Sequence, residues 1–205
     1  MLLKIIIKNT LLILIILGLY TSCKAQTIIV PIGSGEHIEN DPSYYKKDIN
    51  NEFNKFQGTW KYQNGNTEIT LKLKKEEHYQ LSNEYNFEDL LVGEYQYIES
   101  GVEKANTFLD FNNPNISGYS HKISGGVYKH VLPNYCIDNS NIAEIKVWLI
   151  INHPTDEFAE GRVILRYINE NGVEKLEACI YDLTTLGDND VKLDIPDGYY
   201  VFIKQ

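Results

Sequence analysis

Phe53-Asn54-Lys55-Phe56-Gln57-Gly58-Thr59-Trp60-Lys61-Tyr62 is the stretch on which the reading of the fold turns. Phe53 and Phe56 are spaced to lie on one side of a helical turn. Gly58 permits a bend, or the close approach of another segment, where the next strand begins. Period-two alternation then sends Trp60 and Tyr62 to one face and Thr59 and Lys61 to the other. The stretch predicts an aromatic lead-in turn that plugs the end of a small β-barrel beneath Trp60, followed by the barrel's first strand.

Downstream, Asn64-Gly65 predicts a tight hairpin, because both residues tolerate positive φ. In the next strand Ile69, Leu71 and Leu73 face one way, and Glu68, Thr70, Lys72 and Lys74 the other, so one face is buried and one wet. Glu76 to Asn86 is polar and predicts mostly loop, with a short strand at His78 to Leu81. Leu90 to Ile98 is a clear strand, with Leu91, Gly93, Tyr95 and Tyr97 on one face and Ser100-Gly101 as its turn. Val102 to Phe111 returns as a strand, and Gly125-Gly126 predicts a turn before another over Val127 to Leu132. Ile142 to Ile151 is apolar on both faces: either it is covered on both sides, or Trp148 sits over a barrel end. Gly161 to Ile168 and Val173 to Leu183 form a hairpin through Asn171-Gly172, and Tyr199 to Lys204 is the last strand. About eight to ten strands with almost no helical period predict an all-β fold, a single antiparallel barrel. A meander is the expected order, since sequential strands tend to be neighbours.

Upstream, the chain carries an address. Lys4 and Lys8 precede the apolar run Leu11 to Tyr20, which is short of the roughly 20 residues a spanning helix needs. Thr21 and Ser22 then lead to Cys23, an ending that resembles a bacterial lipoprotein signal in which the cysteine becomes the lipidated first residue. A competing cut after Ala25 leaves Gln26 first. Either exports the protein, to a lipid-anchored place in the cell envelope facing the periplasm or cell surface, or to a soluble periplasmic or secreted state. Residues 1–22 therefore read as signal peptide, 23–47 as a flexible tether, and 48–205 as the barrel domain.

Removing residues 1–22 takes the count from 19 basic and 28 acidic residues to 17 and 28, and the net charge from −9 to −11. Such a domain is repelled by nucleic acid and by anionic head groups. Membrane association is left to acyl chains on Cys23. Cys136 and Cys179 either pair in an oxidising compartment or lie apart as buried small hydrophobes. No C-x-x-C pair occurs, so neither a zinc ribbon nor a thioredoxin-like site is indicated.

Motifs for chemistry are sparse, and no cofactor is expected. None of the five histidines forms a metal-ligand spacing with another His or Cys; His121 and His130 flank a predicted turn and could approach across a hairpin. Asp188-Asn189-Asp190 with Asp194 lacks the calcium-loop pattern. Asp156, Glu157 and Glu160 read as a solvated loop. There is no G-x-S-x-G elbow, P-loop or dinucleotide fingerprint. The aromatic content is the remaining clue, with 15 tyrosines, 7 phenylalanines and 2 tryptophans. If the interior is open, Trp60, Tyr62, Tyr95, Tyr97 and Tyr167 line an amphipathic pocket; if it is filled, they are core.

Gly58-Thr59-Trp60 behind an aromatic turn resembles the opening motif of lipocalins and their barrel-shaped, calycin-type relatives. That resemblance implies a last strand, Tyr199 to Lys204, paired beside the first. It also implies a basic residue stacked over the tryptophan: Lys204 over Trp60, where an arginine is usual. Phe56, Gly58, Trp60 and Lys204 would then close the barrel end. The whole layout is similar to a group of uncharacterised exported proteins of the Bacteroidetes phylum, in the Cys23-Lys24-Ala25-Gln26 leader end, the Phe56-to-Lys61 start and the final Phe202-Ile203-Lys204-Gln205. This similarity implies export and one β domain, but no activity. The expectation is a non-catalytic binding or interaction module of the envelope, for a small apolar ligand or an envelope protein. The alternative is a hydrolase of envelope or extracellular substrates whose catalytic residues are scattered over strands.

Overall fold

The computed structural model describes residues 27–36, 40–129, 136, 144–156, 158–183 and 191–205. The strands are β1 (Ile28–Pro31), β2 (Tyr44–Lys47), β3 (Gly58–Asn64), β4 (Thr67–Tyr79), β5 (Phe87–Glu99), β6 (Val102–Asn106), β7 (Ile123–Lys129), β8 (Lys146–Asn152), β9 (Glu160–Glu170), β10 (Val173–Asp182) and β11 (Gly198–Lys204). Between them lie short 3-10 turns, with no α-helix among the described residues. Strands β3, β4, β5, β7, β8, β9, β10 and β11 close into an antiparallel eight-stranded barrel in meander order. Its ends are zipped by β11 against β3: Ile203 pairs with Lys61, Lys204 with Trp60, and the Gln205 N–H donates to the Thr59 carbonyl over 2.9 Å.

The hairpins follow from their turn residues. Ser100-Gly101 has φ of 51° and 75°, and Asn171-Gly172 has 54° and 84°, the paired positive values of a primed two-residue turn. At the first hairpin Asn64 pairs with Thr67, so the turn is Gly65-Asn66, one residue later than the sequence suggests. Only Gly65 takes positive φ there.

The interior is packed. Leu71, Tyr95, Leu149, Leu165, Leu176 and Phe202, from six of the barrel strands, belong to one buried cluster with Trp60. Each such side chain contributes roughly 1.5–3 kcal/mol by leaving water. The 3-10 turn Glu52–Phe56 plugs one end with Phe53 and Phe56, both fully buried. Leu193 and Ile195 join the same core.

Four stretches depart from the sequence reading. Residues 28–31 and 44–47, read as tether, form a parallel pair, and β2 continues the pairing onto β5 through Tyr45–Phe87 and Lys46–Glu88. Val30 and Tyr45 are buried. Their runs are too short to declare a strand; the partner that stabilises them is remote in sequence. The polar stretch after Glu76 is not loop at its start: β4 runs on to Tyr79 through a register shift, with His78 at φ 58° and its ring stacked 4.0 Å from that of Phe87. Finally, Gly125-Gly126 is a bulge inside β7 rather than a turn. A Cβ on Gly126 would fall 2.8 Å from the Phe53 ring, which is why that position carries no side chain. Val102 to Phe111 likewise stops as a strand at Asn106 and passes into the 3-10 turn Phe108–Asp110.

Cys136 and Cys179 form a disulfide, with Cα atoms 5.8 Å apart. It packs with Ile164, Tyr181 and Trp148 in a second small cluster outside the barrel wall. Strand β8 is thus covered on both faces, Val147, Leu149 and Ile151 inside and Trp148 outside.

Candidate ligand cleft on the outer wall

The plugged end holds a buried ionic cluster. Asp48 and Asp89 have fully buried side chains, and Lys75 is buried between them, its Nζ 3.3 Å from Asp48 and 3.7 Å from Asp89. Asp48 accepts from the Glu52 N–H (2.8 Å), the Phe53 N–H (3.0 Å) and the Tyr128 hydroxyl (2.7 Å). Asp89 accepts from the Asp48 N–H (3.0 Å), the His78 N–H (3.1 Å) and the Tyr45 hydroxyl. Burial pushes the Asp48 carboxyl up, but those N–H and hydroxyl donors with the Lys75 charge outweigh it and hold the carboxyl below its usual range. Every oxygen of both carboxylates is committed.

A second buried constellation lies outside the barrel, under residues 107–122. His121 and Glu94 are fully buried, with His121 Nδ1 2.8 Å from Glu94 Oε1 and Nε2 3.2 Å from Glu76 Oε1. Glu76 also accepts from the Gly118 N–H over 2.6 Å and pairs with Lys74 at 3.0 Å. Glu94 Oε2 is buried with no partner among the described residues.

The residues singled out in the sequence fall in two groups. Phe56, Gly58, Trp60 and Lys204 come together: Trp60 Nε1 donates to the Phe56 carbonyl over 2.8 Å, and Lys204 Nζ stands 5.2 Å from the Trp60 ring centroid. Of the candidate pocket residues, Trp60, Tyr95 and Tyr97 are buried in the packed core, while Tyr62 and Tyr167 are half-buried against it. Tyr167 stands edge-on to Trp60 with ring centroids 6.3 Å apart, and Tyr62 meets Tyr200 with centroids 5.0 Å apart. Tyr181 packs outside. Cys23, His37, His130, Glu157 and residues 188–190 lie outside the described residues.

The cleft arises from how β5 is shared. Along one edge β5 meets β2 at Phe87 and Glu88, β7 from Leu91 to Gly93, and β6 from Gln96 to Glu99. Past its bulge β7 leaves β5 and pairs only with β8, while β2 and β1 take the vacated side. No backbone hydrogen bond joins β1 to β7 among the described residues. At this fork lies a cleft of about 640 Å³. Val30, Ile32, Leu90, Val127 and Ile150 give it apolar walls, with Trp148 beside them. That size and lining suit a small-molecule site.

The cleft also carries charged and hydrogen-bonding side chains, from Lys46, Glu88, Tyr119 and Arg162 among others. Lys46 projects beside its register partner Glu88. Arg162 follows Ser124 and Ile150 in one row across β7, β8 and β9. The Tyr119 hydroxyl donates to Glu88 over 2.9 Å. Burial raises the Glu88 carboxyl despite that bond and the Lys46 charge, and burial with Glu88 raises the Tyr119 hydroxyl. Arg162 spends one nitrogen, Nη1, on Glu160 (3.4 Å) and the Gly161 carbonyl (3.1 Å). A smaller cleft of about 460 Å³ lies by the disulfide, against Tyr181 and Tyr199. Sequence reasoning missed the first cleft because its walls come from both ends of the sheet; Gly125-Gly126 was its local signal.

Two comparisons with known proteins are empty: no curated protein and no solved structure matches the chain. One family, described as a family of unknown function (DUF6705), matches residues 7–205.

Proposed function

We propose that this chain, which belongs to the DUF6705 family, is an exported, non-catalytic binding module of the cell envelope that seats a small ligand in the outer cleft. The observation that carries this is the contrast between a filled barrel and an apolar cleft of about 640 Å³ beside it. The Cys136–Cys179 disulfide supports export, since such bonds persist in oxidising compartments. Asp48, Asp89 and Glu76 spend their oxygens on fixed partners, which supports binding over acid–base work. The leader ending at Cys23 supports a lipid anchor.

Uptake of a fluorescent apolar dye by purified protein tests the seat. Val127→Trp, on an exposed position of the cleft wall, is expected to abolish uptake; a wild type that takes up no dye sinks the reading. Mass analysis of the mature N-terminus tests the address. A diacyl adduct on Cys23 is expected, and an N-terminal Gln26 would remove the anchor.

A further inference from the structure

We infer that the outer cleft selects an amphipathic anion: an apolar body bearing a carboxylate or phosphate head, drawn by the cations Lys46 and Arg162 that line the cleft. The inference rests on the cleft being the ligand seat. Its walls set the apolar half of the ligand, because Leu90, Val127 and Ile150 present no hydrogen-bonding side chain to it. Its head-group chemistry follows from the donors left over. Lys46 stands beside Glu88 with no ion pair or side-chain hydrogen bond among the described residues, and Arg162 retains Nε and Nη2 beyond the two bonds from Nη1. A guanidinium fork and an ammonium are the two donors best matched to a carboxylate or phosphate.

The acidic residues of the cleft do not cancel this. Asp89 turns its carboxylate into the cluster with Asp48 and Lys75. Glu88 accepts from Tyr119, and burial drives it toward its neutral form. Glu36 is exposed at the rim, where water screens it. A cationic head would be repelled by both Lys46 and Arg162, which line the same cleft.

The test uses dodecanoate, dodecanol and dodecylammonium, which share one apolar chain and differ in head charge. Binding to the intact protein is followed by the emission of Trp148 in the cleft wall, with dodecyl phosphate as a second anion. Dodecanoate is expected to bind at least about tenfold more tightly than dodecanol, with dodecylammonium weakest. In Lys46→Met/Arg162→Met, which keeps apolar stems, dodecanoate is expected to fall to the affinity of the alcohol; a thermal melt checks that the variant folds. Tighter binding of only one of the two anions identifies which head the site accepts and upholds the inference. Equal binding of all three chains, lost in Val127→Trp, would overturn the charge selection and leave the cleft standing. Binding of none would overturn both.

Discussion

The Asp48 backbone N–H donates to Asp89 Oδ2, 3.0 Å away, so the chain entering the barrel is fastened to β5, the strand whose one edge is shared among three partners. The same carboxylate takes the hydroxyl of Tyr45 from β2 and lies near Lys75 of β4. One residue thereby holds the inserted pair β1–β2, and with it one wall of the cleft. Asp89→Asn leaves Lys75 and Asp48 matched one to one, but turns one accepting oxygen into an N–H donor that faces the buried Asp48 N–H, or the His78 N–H and the Tyr45 hydroxyl, and is expected to cost about 3 kcal/mol. Urea unfolding measures it, and hydrogen exchange at Tyr45 to Lys47 should quicken first. Unchanged exchange there would mean that β2 is held by something else.

The pH dependence follows from the same cluster. The folded Asp48 carboxyl sits below its unfolded value, so its contribution is present above about pH 4 and lost as pH falls through the folded value. Burial lowers Lys75, but Glu77, Asp48 and Asp89 outweigh it and raise the group. Its contribution is therefore complete below the unfolded lysine value of about 10.4 and lost as pH rises through the folded one. Thermal melts should show a plateau with a falling limb at each end. Asp48→Asn is expected to flatten the acid limb; an unaltered limb assigns acid unfolding to other carboxylates.

What was legible in the sequence was whatever a local period records. Ile69, Leu71 and Leu73 announce a one-faced strand, and Phe53, Phe56 and Trp60 announce the plug, because each pattern closes within a few residues. The pair β1–β2 was not legible: Ile28 to Val30 and Tyr44-Tyr45 become strands only when β5 offers an edge some forty residues on. Glu94 alternates as a wet-face residue and is dry because residues 107–122 fold over it, a tertiary fact. The number of aromatic residues likewise says nothing of how much interior volume they fill, and here that volume is filled.

His121 gives a prediction about coupled burial. Its nitrogens face Glu94 and Glu76, and a neutral imidazole has a single N–H, so both contacts are hydrogen bonds only if the three groups hold one more proton between them. His121→Leu alone abandons Glu94 in a dry site and is expected to cost about 3–5 kcal/mol. Adding Glu94→Leu removes the stranded carboxyl, whose Oε2 already lacks a partner, so the double variant should be more stable than the single. A double variant that is the weaker of the two, in denaturant melts, would show that the pair stabilises the protein outright.

Gly58 has φ of 123°, and a Cβ there would meet Lys204 Cε at 3.3 Å. Gly58→Ala therefore carries two penalties, one in the backbone and one in the contact. The contact is with the far end of a flexible side chain, which yields at little cost; the backbone penalty, about 1–3 kcal/mol, does not. Lys204→Ala alone loses the half-exposed cation over Trp60, about 0.5–1 kcal/mol, together with its ion pair to Glu174. In the double variant most of the Gly58→Ala cost is expected to persist, because removing the lysine relieves only the contact. Near-ultraviolet dichroism of Trp60 with urea melts separates the cases. Full recovery in the double variant would place the glycine requirement in the passage of Lys204 over the barrel end, and none in the turn into β3.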